Sequence, residues 1–330
     1  MSQVSSIQTL EARREFLKHR DKSGRVFTFP ELEAMGCQYV LTSKDWDTAI
    51  VHGRPASEQT APWLEIKALF EERSGGTEKQ LILLRQTHSS RLIELLERPE
   101  AADLVACRDL ANIEATAGKL SEVIEYEAEE VADSKSPDFS SLDLERLMST
   151  GSLAAEQLGF ALRYQGADGL LTKSPELVLA TTHADCAPVI FYDRRQRLLV
   201  NIHSGWRGTL ALFPLRTLEY IEAAYEVRPE DLIAVLGPMI AQADYEVEAD
   251  VAVPCMAVFP PEAQVIERMS DFKYLLNIQA AIVWQLREFG LKSEQIYTVP
   301  GSTYADARYH SYRRDGRDAF GLMSSFVSLI

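Results

Sequence analysis

The chain is short of positive charge: 34 Lys and Arg stand against 49 Asp and Glu in 330 residues, a formal net charge of -15. Nucleic acids and anionic membranes are held by concentrated Lys and Arg, so this balance argues against both as partners. Apolar runs long enough to span a bilayer are missing, and no basic stretch followed by an apolar one opens the chain. The expectation is a cytoplasmic protein. Cysteine is scarce as well. Cys37, Cys107, Cys186 and Cys255 are scattered without C-x-x-C spacing, which gives no disulfide framework and suits a reducing compartment. Histidine is limited to six residues, His19, His52, His88, His183, His203 and His310. The 46% hydrophobic share is ordinary for a soluble globular protein, and no internal repeat or linker divides the chain.

What is present concentrates in Thr181–Thr209, TTHADCAPVIFYDRRQRLLVNIHSGWRGT. Ala187–Tyr192 and Leu198–His203 are Val/Ile/Leu-rich runs separated by the charged residues Asp193–Arg197, which is the pattern of a hairpin. A turn centred between Arg194 and Arg195 sets Val189 against Val200, Phe191 against Leu198, and Cys186 against His203. Directly opposed Cβ atoms lie about 5 Å apart, so a thiol and an imidazole meet at the open end. Such a pair is either two metal ligands or a nucleophile with its base, unless it is a small buried hydrophobe beside a core histidine. Asp185 precedes the thiol as a candidate orienting group. Gly205 and Arg207 follow the histidine where the backbone must bend. The N–H groups of 205–209 with Arg207 are a candidate anion seat at a helix start. His183 reads as a strand residue.

Further blocks stand in order along the chain: Arg85-Gln86-Thr87-His88-Ser89, Ala167-Asp168-Gly169-Leu170-Leu171-Thr172, Gly237-Pro238 with Tyr245-Glu246-Val247, and Ser311-Tyr312-Arg313-Arg314-Asp315-Gly316. With A-D-C-x-P-V and H-S-G-W-R-G-T they resemble the laccase-domain family, also called YfiH-like or peptidoglycan editing factor proteins. The resemblance implies a single-domain mixed α/β (α+β) fold, an α/β/β/α sandwich of two mixed sheets with outer helices. It also implies that His88 joins Cys186 and His203 as a third ligand. Two imidazoles and a thiolate suit zinc with one open position, and copper can displace zinc because it binds such sites more tightly.

Three functions follow from the resemblance. The first is a zinc enzyme of purine nucleosides, either phosphorolysing adenosine, inosine or methylthioadenosine, or deaminating adenosine. Its partners are then a nucleoside and phosphate, with Arg207, Arg313 and Arg314 as candidate phosphate contacts. The second is a Cys/His amidohydrolase that edits a cell-wall precursor, with Cys186 as nucleophile and His203 as base. The third is a metal-binding protein with reduced catalysis. A multicopper oxidase is disfavoured, because it needs more imidazoles than six histidines supply. Departures from the family pattern are visible: no GGxS stretch, no Asn-Arg pair, Asp244 in place of a cysteine, and Leu322 in place of arginine.

Elsewhere the pattern predicts helices over Ile7–His19, Ala61–Glu72, Thr209–Glu226 and Leu276–Phe289, with Pro214 awkward inside the third. Strands are predicted over Gln38–Thr42, Gln80–Arg85, Leu177–Thr182, Leu232–Leu236 and Gln295–Val299. Residues 1–79 match the family poorly. The acidic stretch 98–164, with Glu122, Glu125, Glu127, Glu129 and Glu130, reads as a helical insertion presenting a solvated face.

Overall fold

The computed structural model describes residues 14–15, 19–20, 25–46, 48, 56–83, 86–95, 106–109, 167–317 and 319–330. Two large mixed sheets form its centre. The first runs, in spatial order, Arg14–Glu15, Ile296–Thr298, Leu232–Leu236, Ala187–Asp193, Leu198–Ser204, Gly169–Thr172, Arg91–Leu95, Ala106–Asp109. The second runs His19–Arg20, Val26–Thr28, Cys37–Thr42, Met323–Leu329, Leu177–His183, Gln80–Leu83. A three-stranded sheet, Glu246–Val247, Tyr274–Leu276 and Ile266–Arg268, stands apart.

Alternation along the central strands explains the layering. Val189 and Phe191 face one core with Leu198, Val200 and Ile202, covered by Phe213, Leu218, Ile221, Ile282 and Leu286 from two helices. The intervening Ile190, Tyr192 and Leu199 face the second sheet, where they meet Leu41, Leu179 and Val327. On the far side of that sheet, Val40, Leu81, Val178 and Phe326 pack under Trp63, Ile66 and Phe70 of the helix Ala56–Arg73. Successive strand residues point to opposite faces, so strands buried on both faces are largely apolar. Each large side chain fully removed from water contributes about 1.5–3 kcal/mol. The result is helix, sheet, sheet, helix, the α/β/β/α sandwich that the resemblance implies. One polar device crosses the sheet interface: Asn201 donates to the carbonyls of Leu179 (3.1 Å) and Ser325 (3.0 Å) and accepts from Thr181 Oγ1 (3.1 Å).

Several expectations are corrected. The hairpin register is Ala187–Ser204, Pro188–His203 and Val189–Ile202, so Cys186 stands one residue beyond the ladder and His203 faces Pro188. The loop is four residues long, Arg194–Arg197. It is closed by Arg197 at φ 50° and by Gln196 N–H donating to Asp193 Oδ1 at 2.8 Å. The slip is an even number of residues, so every side chain keeps its face, and Cys186 and His203 still share one.

Ile7–His19 is not one helix: Arg14–Glu15 pairs in parallel with Tyr297–Thr298, and His19 pairs with Thr28. Sheet pairing overrides helical propensity there. Thr209–Glu226 divides into Trp206–Leu210 and Phe213–Tyr225, with Leu212 left-handed at φ 57° between them. Pro214 falls in the first turn of the second piece, where no N–H is needed. The helix expected over Leu276–Phe289 starts at Ile278, capped by Asn277 accepting from Ala280 N–H at 2.9 Å, and Leu276 belongs to a strand. Within 98–164, Ala106–Asp109 is a strand paired with Arg91–Glu94; the remainder lies outside the described residues. No described helix is long and apolar enough to cross a membrane.

Candidate functional site

Three strand ends converge at one edge of the sandwich. His203 is near the end of Leu198–Ser204, Cys186 immediately precedes Ala187–Asp193, and His88 lies in the turn before Arg91–Leu95. One nitrogen of each imidazole and the thiol sulfur all lie within 4.8 Å of one another. Cys186 Sγ is 4.0 Å from His88 Nε2, and the two imidazoles cross edge to face with centroids 5.0 Å apart. Among the described residues this is the one group of three or more His, Cys, Asp or Glu arranged to share a metal. His203 is buried, Cys186 is half-buried and His88 is exposed, so the cluster opens to solvent on the His88 side.

Asp168, placed in none of these roles by the sequence reading, organises the cluster. It is fully buried. Its Oδ1 lies 2.9 Å from His203 Nδ1. The same carboxylate accepts the backbone N–H groups of Thr87 (3.2 Å), His88 (3.1 Å) and Ser89 (2.6 Å), and the Ser89 hydroxyl (2.7 Å). Its own carbonyl accepts His203 N–H at 2.7 Å. Three successive N–H groups converging on one anion make a backbone nest, which here has His88 left-handed at φ 56°. A non-glycine residue held there costs about 1–3 kcal/mol. The one sign in the sequence was an acid directly before a strand inside a matched block, Ala167-Asp168-Gly169.

Burial opposes a charge on Asp168, but the His203 and Ser89 hydrogen bonds hold its carboxyl below the ordinary range. Burial likewise opposes the Cys186 thiolate, and the adjacent His203 and His88 outweigh it, so the thiol is pulled down. His203 is pushed up against its own burial by Cys186 and Asp168. Both directions favour a thiolate beside a protonated His203 while no metal is bound. With Nδ1 on Asp168, His203 has Nε2 left to face Cys186 and His88. Two imidazole nitrogens and a sulfur fit zinc, and binding displaces the His203 proton.

Gly205 is explained by the thiol. A Cβ on Gly205 would lie 2.7 Å from Cys186 Sγ and 3.3 Å from His88 Cδ2, so only glycine leaves room there. The expected anion seat is cramped: Gly205 and Gly208 are buried, and the helix Trp206–Leu210 has five residues. The Arg207 guanidinium lies over the Trp206 ring, 4.4 Å from its centroid.

Asp185 does not orient His203. Its Oδ1 accepts from Thr303 Oγ1 (2.6 Å), and its Oδ2 accepts from Ser311 Oγ (3.0 Å) and Arg313 N–H (2.7 Å). At φ 85°, Asp185 ties the segment 303–313 to the residue beside the thiol. Arg313 is exposed, with its guanidinium 5.1 Å from the Tyr245 ring centroid. Arg314 is committed to structure, donating to the carbonyls of Thr303 (2.9 Å), Tyr304 (3.0 Å) and Tyr309 (2.7 Å) and to Asp315 (2.8 Å). The cationic pair thus separates into one candidate for anion contact, Arg313, and one internal clamp. His183 is buried on its strand opposite Met323, its ring nitrogens without hydrogen-bond partners. Burial, then His203 and His310, lower it to about 3, so it stays neutral.

Residues 64–330 match the family described as multi-copper polyphenol oxidoreductase laccase, and the chain belongs to that family. Its relatives carry a different name. The purine nucleoside phosphorylase of Bacteroides thetaiotaomicron is 30% identical over 164 residues, 49% of this chain and 61% of that protein. Purine nucleoside phosphorylase YfiH of Shigella flexneri is 34% identical over 165 residues, 50% of this chain and 64% of that one. The match thus spans under two thirds of these curated relatives. Two solved structures share the fold. The hypothetical protein YfiH of Bacillus licheniformis has a TM-score of 0.68 at 19% identity, covering 95% of this chain and 99% of that one. YlmD from Geobacillus stearothermophilus has a TM-score of 0.65 at 19% identity, covering 92% and 96%.

Proposed function

We propose that this chain is a metal-dependent purine nucleoside phosphorylase, with His88, Cys186 and His203 holding zinc. The observation that carries the reading is the converged His/Cys/His cluster with Asp168 behind it, in a chain whose relatives are named for that activity. Phosphorolysis joins a phosphate oxygen to the sugar C1′ as the C1′–N bond breaks, and the bonding pair leaves with the purine. The protein must therefore hold an anion beside the sugar and accommodate charge developing on the base. Arg313, exposed and tethered through its own N–H to Asp185, supplies a cation linked to the residue beside Cys186. Arg207 on Trp206 supplies a second cation on the histidine side. Zinc, when bound, contributes a Lewis acid. His203, held by Asp168, presents one fixed nitrogen.

The lowered Cys186 thiol supports a second reading, a Cys/His amidohydrolase acting on a cell-wall precursor. Product analysis separates the two. Zinc-loaded protein incubated with inosine or adenosine is expected to form free purine and ribose 1-phosphate only when phosphate is present. Inosine made from adenosine without phosphate means deamination instead. No product from either nucleoside, with turnover of a seryl cell-wall precursor, means the thiol reading is right.

A further inference from the structure

We propose that Asp168 is the positioning residue that makes His88 and His203 a matched pair of ligands, fixing the imidazole tautomer of one and the backbone conformation that carries the other. The inference rests on the reading of the cluster as a metal-binding unit. No other described carboxylate reaches both histidine segments. Asp168 Oδ1 is 2.9 Å from His203 Nδ1 and 3.1 Å from His88 N, while Oδ2 accepts from Thr87 and Ser89. The Asp168 carbonyl adds a third tie by accepting His203 N–H at 2.7 Å.

The consequences follow from hydrogen-bond chemistry. A carboxylate only accepts, so Nδ1 of His203 carries a proton, and Nε2 is the nitrogen whose lone pair is open to a metal once its own proton has left. That is the nitrogen a metal needs, and carboxylates in this position are known to tune metal affinity by about 10–100-fold. On the other segment, the nest closes only while His88 keeps its left-handed φ of 56°. With the carboxylate removed, three converging N–H groups lose their anion and His88 loses the reason to stay in that conformation. An amide cannot substitute for the Asp168 carboxylate. It would offer one acceptor oxygen to groups that now share two, and its NH2 would face donors.

The test uses the full-length chain, with Asp168→Asn as the variant and Ser89→Ala as a control that removes one hydroxyl donor and leaves the carboxylate. Zinc affinity by competition with a chromophoric chelator is expected to fall about 10–100-fold in Asp168→Asn and less than about threefold in Ser89→Ala. The cobalt-substituted absorption spectrum should change in Asp168→Asn alone. Unchanged zinc affinity and cobalt spectrum in folded Asp168→Asn would overturn the proposal. Should that variant not fold, two-bond nitrogen–proton correlations on the zinc-loaded unmodified chain decide: a protonated His203 Nδ1 supports the assignment, and a protonated Nε2 with Nδ1 taken by the metal overturns it. Failure of the unmodified chain to bind zinc or cobalt would instead sink the metal reading, and this proposal with it.

Discussion

Asp168 and Asp185 are both buried, both beside a segment that carries a member of the cluster, and both accept from backbone and side-chain donors. Their partners differ. Asp168 is 18 residues before Cys186 in the sequence and 35 before His203, yet it grips both histidine segments. Asp185 is the immediate neighbour of the thiol, yet its oxygens reach Thr303, Ser311 and Arg313. A neighbour in sequence shares a backbone, not a direction: the left-handed turn at Asp185 sends its side chain to another segment, while strand pairing of Gly169 with Ile202 delivers Asp168 to His203. One acid therefore sets the donor atoms, and the other fastens the loop that carries Arg313.

The largest effect expected on this division is at the cluster itself. Purified protein should hold about one zinc per chain by elemental analysis, and Cys186→Ala should hold almost none, because a three-ligand site loses its charged donor. Metal retained at full stoichiometry in that variant would place the ion elsewhere.

Asp168→Ala comes next. Removing one partner of a buried, hydrogen-bonded charge pair costs about 3–5 kcal/mol, measurable by denaturant unfolding of the metal-free protein. The pH dependence has a definite sign. The carboxyl is held below its ordinary value, so its contribution is full above about pH 4 and is lost as pH falls through the lower, folded value. The stability gap between the unmodified chain and Asp168→Asn should therefore close in acid, and it should also narrow as pH rises through the value of about 10 to which Asp168 helps push His203. A gap that stays open in acid would contradict the assignment.

Gly205→Ala should be intermediate. Its methyl group meets Cys186 Sγ and His88 together, and overpacking of this kind costs about 1–3 kcal/mol. Zinc affinity should drop along with stability; a variant that keeps both would mean the cluster has more room than its geometry implies.

The smallest effect on the metal should come from Asp185→Asn. Asparagine tolerates the left-handed backbone and keeps an acceptor, so stability should fall by about 1–3 kcal/mol through weakened bonds to Thr303, Ser311 and Arg313. Zinc affinity should stay within about threefold. If Asp185→Asn and Asp168→Asn damage zinc binding equally, the two acids do not divide the work as described.

The central strands were legible because they are buried on both faces and read as apolar runs, 187–192 and Leu232–Leu236 above all, whereas their arrangement as a sandwich was legible only through the family resemblance. The proximity of Cys186 and His203 was legible for a less secure reason: the register was wrong by an even step, which spares the face. The four-residue loop hid because Arg197, which closes it, is not one of the residue types that announce a left-handed turn. Arg14–Glu15 hid because two residues at a sheet edge owe their conformation to Tyr297 and Thr298, not to their own propensity. Asp168 stood in a matched block and was still missed, since only pairing between distant strands shows which histidine it meets. The division of Arg313 from Arg314 was equally invisible, because adjacent identical residues differ here only in what the fold offers each of them.

The proposed reading makes His88, Cys186 and His203 one metal-holding unit and not a thiol with its base. The direct measurement is turnover of His88→Ala and His203→Ala across a zinc titration, on whichever substrate the unmodified chain converts. A metal-holding unit predicts that both variants lose activity to a similar degree and that added zinc partly restores each. His203→Ala far worse than His88→Ala, with zinc inhibiting by occupying the thiolate, would contradict it.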